Sequence, residues 1–181
     1  MIIRTAHAPR WARAMMLFVP ASWLGLIIGI SFIEAPLKFT APGITIPLGL
    51  GIGRRVFLAM NIVEVALGLV LLVALIAIWR DHRHQELPGF GRMQFYSLIA
   101  LGLLLVKTVI IRPLLAVHSD RVLAGTFEGG SSTHYYYIGV EVLLCAALVL
   151  LIVAAVRGLL PPTATPSIDS ASTAQTTESP D

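Results

Sequence analysis

Four long apolar stretches alternate with short polar stretches along the chain. The apolar stretches cover residues 14–35, 56–79, 95–117 and 135–156. Each is long enough to cross a membrane, because about 20 helical residues, rising about 1.5 Å each, span a hydrocarbon core of about 30 Å. The pattern therefore predicts an all-α membrane protein, a four-helix transmembrane bundle.

The composition supports a lipid environment. Hydrophobic residues make up 56% of the chain and charged residues only 13%, whereas soluble domains carry about 25% charged residues. The lipid bilayer is thus the first expected partner. Nucleic acid is not expected, because the basic residues flank the apolar stretches and form no basic face with interleaved aromatics. The single cysteine, Cys145, excludes an intrachain disulfide.

The remaining segments divide the chain into three parts: a basic N-terminal segment (1–13), a transmembrane domain (14–160) and a polar tail (161–181). The tail has too few large apolar residues to offset the entropy of ordering, so we expect it to be disordered. The first loop, residues 36–55, is rich in proline and glycine, which predicts an irregular re-entrant or lid-like segment. The second, residues 118–134, is expected to be a polar loop.

The distribution of Lys and Arg predicts the orientation, because basic residues accumulate on the cytoplasmic side. One side would carry Arg4, Arg10, Arg13, Arg80, Arg83, Arg92 and Arg157, and the other Lys38, Arg54, Arg55 and Arg121. We therefore expect a multi-pass protein of the cell membrane with both termini cytoplasmic. Tyr135, Tyr136 and Tyr137 at one interface, and Trp79 and Phe95 at the other, are predicted to form aromatic belts.

Five ionisable residues fall within the predicted spans: Glu34, Glu64, Lys107, Arg112 and Glu141. A charge at the centre of a transmembrane helix costs about 2.5–3.5 kcal/mol on insertion scales. Counted along the helices, all five lie in the same half of the bilayer, and Lys107 is deepest at about 15 Å from its outer end. This common depth predicts one ion-pair network in which Glu64 or Glu141 neutralises Lys107.

Helical phase adds two residues to this network. Asn61 and Glu64 are three apart and share a face, and His134 and Glu141, seven apart, share another. The candidate ligand-binding or ion-pair cluster therefore comprises Glu34, Asn61, Glu64, Lys107, Arg112, His134 and Glu141. The same charges could also be purely architectural and hold the helices together.

Potential metal ligands lie at the edge of the second loop: His118, Asp120, Glu128 and His134. With Glu64 and Glu141 they would offer nitrogen and oxygen donors to a divalent ion. They lack the spacing of a ligand motif, however, and Lys107 and Arg112 would repel a cation. We therefore expect no metal site, and no sequence motif implies a cofactor.

A resemblance is carried by Phe32, Pro36 and Phe39, which form an F-x-x-x-P-x-x-F pattern at the end of the first helix. The sequence GRRVF at residues 53–57 and then Glu64 follow it. The pattern resembles that of small four-helix bacterial integral membrane proteins and, more loosely, DoxX-like and copper-resistance CopD-like groups. The resemblance implies the four-helix architecture and no particular activity. Within its spans the chain lacks the histidines expected of a copper-handling member.

Three function classes follow. The first is a membrane protein that binds or handles a small polar or anionic solute, a lipid headgroup or a proton at the charged cluster. The second is a non-enzymatic accessory subunit that uses the charges to assemble with a partner membrane subunit. The third is an oxidoreductase or isomerase acting on a quinone or lipid, with Glu64 or Glu141 as proton donor. No nucleophile–base pair supports the third class, so we expect a protein without enzymatic activity.

Overall fold

Four long helices make up nearly all of the computed structural model, which describes residues 9–82, 89–123 and 132–159. Helix α1 covers Arg10–Lys38, α2 covers Ile46–His82, α3 covers residues 90–123 and α4 covers Ser132–Leu159. Within these ranges there is no β-strand. All four helices are long and apolar enough to cross a membrane, which confirms the predicted all-α transmembrane fold.

The helices pack in a ring, each against its neighbours in sequence and α1 also against α4. The interior is filled by apolar side chains from all four helices, among them Met16, Ile27, Leu71, Ile78, Met93, Leu104, Leu148 and Leu151. The outer surface is apolar as well: Phe18 is 64% exposed and Leu105 is 63% exposed. Lipid covers such side chains without cost, whereas water would not. The chain is therefore a multi-pass membrane protein.

The prediction of an irregular segment over residues 36–55 was wrong. Residues 35–38 complete α1, α2 already begins at Ile46, and only residues 39–45 lie between the two helices. Pro47 fits because it stands in the first turn, where a backbone N–H is not needed. Gly49 lets the Phe39 ring lie against the α2 backbone, since a Cβ atom there would overlap the ring. The glycine thus serves close packing.

The second loop is also shorter than predicted. Helix α3 continues to Leu123 and α4 begins at Ser132, so residues 118–123 and 132–134 are helical. All four helices extend beyond the predicted spans. The longest extension, residues 46–55 of α2, is mostly apolar, and its proline and glycines had suggested a loop. Most of the basic segment 1–13, the loop tips 83–88 and 124–131, and the predicted disordered tail 161–181 lie outside the described residues.

Two short π-helical segments interrupt the long helices, Ile28–Glu34 in α1 and Lys107–Ile111 in α3. Each ends two residues before a proline, Pro36 or Pro113. A proline has no N–H and so interrupts the α-helical bonding pattern. In each helix the residue before the proline makes a π-helical bond instead: the N–H of Ala35 donates to the carbonyl of Ile30, and the N–H of Arg112 donates to the carbonyl of Lys107. Lys107, the first residue of the second segment, continues the buried face formed by Ser97, Ala100 and Leu104 and is 1% exposed.

Candidate functional site in the bundle interior

The centre of the site is the ammonium group of Lys107, which lies between two carboxylates. Its Nζ donates to Glu64 Oε1 at 2.6 Å and to Glu141 Oε1 at 2.5 Å. All three side chains are at most 1% exposed. Glu64 Oε2 is also 2.5 Å from Nζ, but no described donor reaches it in hydrogen-bonding geometry. Helices α2, α3 and α4 are thus joined by one buried ion-pair triad: Glu64, Lys107 and Glu141.

Three further side chains complete the environment of the triad. The indole Nε1 of Trp23 donates to Glu64 Oε1 at 3.1 Å, and the Ser31 hydroxyl donates to Glu141 Oε2 at 3.4 Å. The Tyr137 ring lies beside the ammonium group, with its centroid 5.6 Å from Nζ, which is within the range of a cation–π interaction. Helix α1 therefore contributes through Trp23 and Ser31, although it supplies no charge to the triad.

A second polar layer adjoins the triad. The Asn61 side-chain amide donates to Thr108 Oγ1 at 2.9 Å, and its Oδ1 accepts from Arg112 Nη1 at 3.2 Å. Asn61 is 4% exposed, so both ends of its amide need a partner inside the bundle. This layer holds the Arg112 guanidinium near the bundle interior.

A cavity of about 730 Å³ opens above these groups, at the end of the bundle that carries residues 39–45. Ser31, Thr108, Tyr137 and Glu141 lie at its polar side. Its other walls are largely apolar and include Phe32, Phe39, Leu50, Phe57, Leu58, Leu115 and Ile138. The volume and the mixed lining are those of sites that hold small molecules.

Basic side chains also line this cavity. They are Lys38, Arg54 and Arg112. Lys38 Nζ is 3.3 Å from Glu34 Oε2 and lies 5.4 Å from the centroid of the Phe57 ring. Among the described residues that line the cavity there is a single acid, Glu141, which is already paired with Lys107. The lining therefore favours a negatively charged group over a positive one.

The structure brings together five of the seven predicted cluster residues: Asn61, Glu64, Lys107, Arg112 and Glu141. Glu34 lies apart from these five: its carboxylate is 36% exposed and pairs with Lys38, one turn further along α1. The side chain of His134 lies outside the described residues.

The metal candidates His118, Asp120, Glu128 and His134 cannot be placed, because their side chains lie outside the described part of the chain. Among the side chains that are described, no group of three His, Cys, Asp or Glu residues is close enough to hold a metal ion. The triad contains only two such residues, and the Lys107 ammonium fills the space between them.

The cluster prediction did not include three residues that touch the triad: Trp23, Ser31 and Tyr137. Trp23 and Ser31 share a face of α1 eight residues apart, and that spacing is the signal that points inward. Tyr137 was expected in an aromatic belt with Tyr135 and Tyr136, which are 75% and 69% exposed. Tyr137 is 6% exposed and packs edge-on against Phe57 instead, because it shares a helix face with Glu141 four residues later.

Comparison of the chain with protein-family models, with curated proteins and with solved structures finds no match.

Proposed function

We propose that this membrane protein binds an amphipathic molecule, with one anionic head group and an apolar body, in the cavity at the 39–45 end. The observation that carries the proposal is the cavity lining, in which apolar walls meet three basic side chains. Apolar walls would hold a hydrocarbon body by excluding it from water. The guanidinium and ammonium groups would hold a carboxylate or a phosphodiester by charge-assisted hydrogen bonds.

The charges of the lining support a negatively charged head group on the ligand. The bases that line the cavity are Lys38, Arg54 and Arg112, and Glu141, an acid of the lining, is already paired with Lys107. These bases would attract an anionic head group and repel a cationic one.

We also propose that the cavity opens on the non-cytoplasmic side of the cell membrane and that both termini are cytoplasmic. The Lys/Arg distribution supports this orientation. A bacterial origin and a relationship to DoxX-like or CopD-like groups remain part of the same proposal, supported by the F-x-x-x-P-x-x-F pattern at Phe32, Pro36 and Phe39.

The proposal is tested with purified protein in phosphatidylcholine nanodiscs. Laurate, dodecanol and dodecylamine share a 12-carbon chain and differ in head-group charge, so we expect only laurate to raise the unfolding temperature strongly. Replacing Arg112 by Gln should weaken laurate binding about tenfold or more, the loss of about one charge-assisted hydrogen bond. The matched control is Arg157→Gln, near the opposite end of the bundle. Equal stabilisation by the three compounds would show that the head group is not recognised.

The other function classes predict different results in the same preparation. An accessory subunit would co-purify with a partner membrane protein, and laurate would not raise its unfolding temperature. An oxidoreductase would carry a cofactor with a visible absorption spectrum. Mass spectrometry of whatever molecule co-purifies with the chain distinguishes a lipid headgroup from a free solute.

A further inference from the structure

A constant spacing of 77 residues relates the two halves of the chain. It separates Ser31 from Thr108, Pro36 from Pro113 and Glu64 from Glu141. The first residue of each pair lies in α1 or α2, and the second lies in α3 or α4. One offset therefore aligns α1 with α3 and α2 with α4, including residues of the triad and of the cavity.

The same offset aligns most of the buried positions, although Val19 and Asn61 are buried and their equivalents, Tyr96 and Ile138, are not. In α1, Met16, Pro20, Trp23 and Ile27 are buried, and their equivalents in α3 are the buried residues Met93, Ser97, Ala100 and Leu104. In α2, Met60, Glu64, Leu71, Ala74 and Ile78 are buried, and their equivalents in α4 are the buried residues Tyr137, Glu141, Leu148, Leu151 and Ala155. The two helical pairs thus turn equivalent faces toward the bundle interior.

The π-helical segments supply a further observation, from the backbone. In α1 the N–H of Ala35 donates to the carbonyl of Ile30, and in α3 the N–H of Arg112 donates to the carbonyl of Lys107. The two donor residues are 77 residues apart, and so are the two acceptor residues. π-helical turns are rare in proteins, so the same turn before the equivalent residues Pro36 and Pro113 supports a repeated structure.

We infer that the chain is an internal duplication of a two-helix unit, and that the equivalent carboxylates Glu64 and Glu141 form a two-fold site for one primary ammonium group, supplied here by Lys107. Pairs of repeats that run in the same direction are related in membrane proteins by an axis along the membrane normal, and their sites lie where the repeats meet.

The geometry of the triad agrees with such an axis. The Lys107 nitrogen is 2.6 Å from Glu64 Oε1 and 2.5 Å from Glu141 Oε1, and a group on a two-fold axis must be equally close to both of the atoms that the axis relates. The equivalent of Lys107 in the first repeat is Ile30, so only one repeat supplies the cation. Glu64 Oε2, buried and without a described hydrogen-bond donor, leaves acceptor capacity for a further N–H.

This inference does not rest on the proposed binding of an anionic amphiphile. The carboxylate site lies beneath the cavity and is filled by a side chain of the protein itself, whereas the anion would meet the basic residues of the lining. A negative result for the ammonium site therefore does not bear on the binding of the anionic amphiphile, and the reverse also holds.

The two-fold relation is tested by moving the lysine to the equivalent position. Lys107→Ile should lower both the yield in the membrane and the unfolding temperature, because it leaves two carboxylates unpaired. Adding Ile30→Lys to that variant should restore most of both, because the new side chain approaches the carboxylates from the other repeat. The matched control adds Ile27→Lys instead, a buried position of α1 that the axis does not relate to residue 107. If Ile30→Lys restores no more than Ile27→Lys does, the two-fold relation is wrong.

The ligand class is tested by chemical rescue. Lys107→Ala removes the equivalent of one propylammonium ion and leaves its space next to the cavity that Glu141 lines. Addition of n-propylammonium chloride should raise the unfolding temperature of this variant in a saturable way, and Lys107→Met, whose side chain fills the space, should respond much less. Equal rescue by 1-propanol would mean that the site needs only to be filled, and absence of any rescue would equally overturn the ammonium site.

Discussion

Replacing Lys107 by methionine is the most informative single perturbation of this protein. Methionine keeps most of the volume and removes the charge, so the change leaves Glu64 and Glu141 facing each other without a cation. Because both carboxylates are at most 1% exposed, water cannot replace the ammonium group. We expect Lys107→Met to lower the free energy of unfolding by about 3–5 kcal/mol, the usual effect of breaking a buried ion pair.

The formal charges predict the order of the other variants. The wild-type triad has one more acid than base, Lys107→Met leaves two uncompensated acids, and Glu64→Gln leaves a balanced pair. Glu64→Gln and Glu141→Gln should therefore each be milder than Lys107→Met. Either glutamine should recover part of the stability when it is combined with Lys107→Met, and the triple variant, which carries no charge, should recover more.

The assay is unfolding in detergent micelles under reversible conditions, with a double-mutant cycle for each Glu. Since Lys107 bonds to both carboxylates, both cycles should give coupling well above about 0.5 kcal/mol, the usual limit for independent sites. Coupling below that value in both cycles would refute the ion-pair triad. Full recovery of stability together with lost ligand binding would assign the triad a functional role, and recovery of both would show that its role is architectural.

Three further predictions concern the rest of the chain. Compartment-specific reporters fused at Glu86 and Glu128 should indicate the cytoplasm and the outside, respectively, and the reverse result would invert the proposed orientation. Truncation after Pro162 should leave expression and thermal stability unchanged, because the removed residues offer little apolar surface to dock; a large loss would show that the tail is structural. Gly49→Leu should lower the unfolding temperature more than Gly51→Leu, because only the first site faces an aromatic ring within contact distance; equal effects would contradict the packing role of Gly49.

The spacing of residues predicts which side chains share a helix face only where the helix keeps a regular α-helical period. The spacing of Asn61 and Glu64 holds in α2, which is α-helical throughout, and both residues are buried in the interior. Glu34 was assigned to the cluster by its depth, and the π-helical segment Ile28–Glu34 lies between it and the regular part of α1. Because that segment has more residues per turn, a regular α-helical period does not give the direction of Glu34.

The sequence by itself determined the four membrane-spanning helices and the depth of the charges within them. Both depend on local quantities, the hydropathy of about 20 consecutive residues and the rise per residue, which no tertiary contact changes. The sequence also predicted that Lys107 needs an acidic partner, because an isolated ammonium group is costly at that depth.

Only the tertiary structure decided that Lys107 pairs with both carboxylates, that Tyr137 faces inward and that a cavity lies above them. These features depend on how four helices rotate and approach one another, which is set by packing contacts such as that of Gly49 with Phe39 and by the π-helical turns before Pro36 and Pro113. A linear pattern gives the depth of a residue in the membrane, but the neighbour it meets there depends on the arrangement of all four helices.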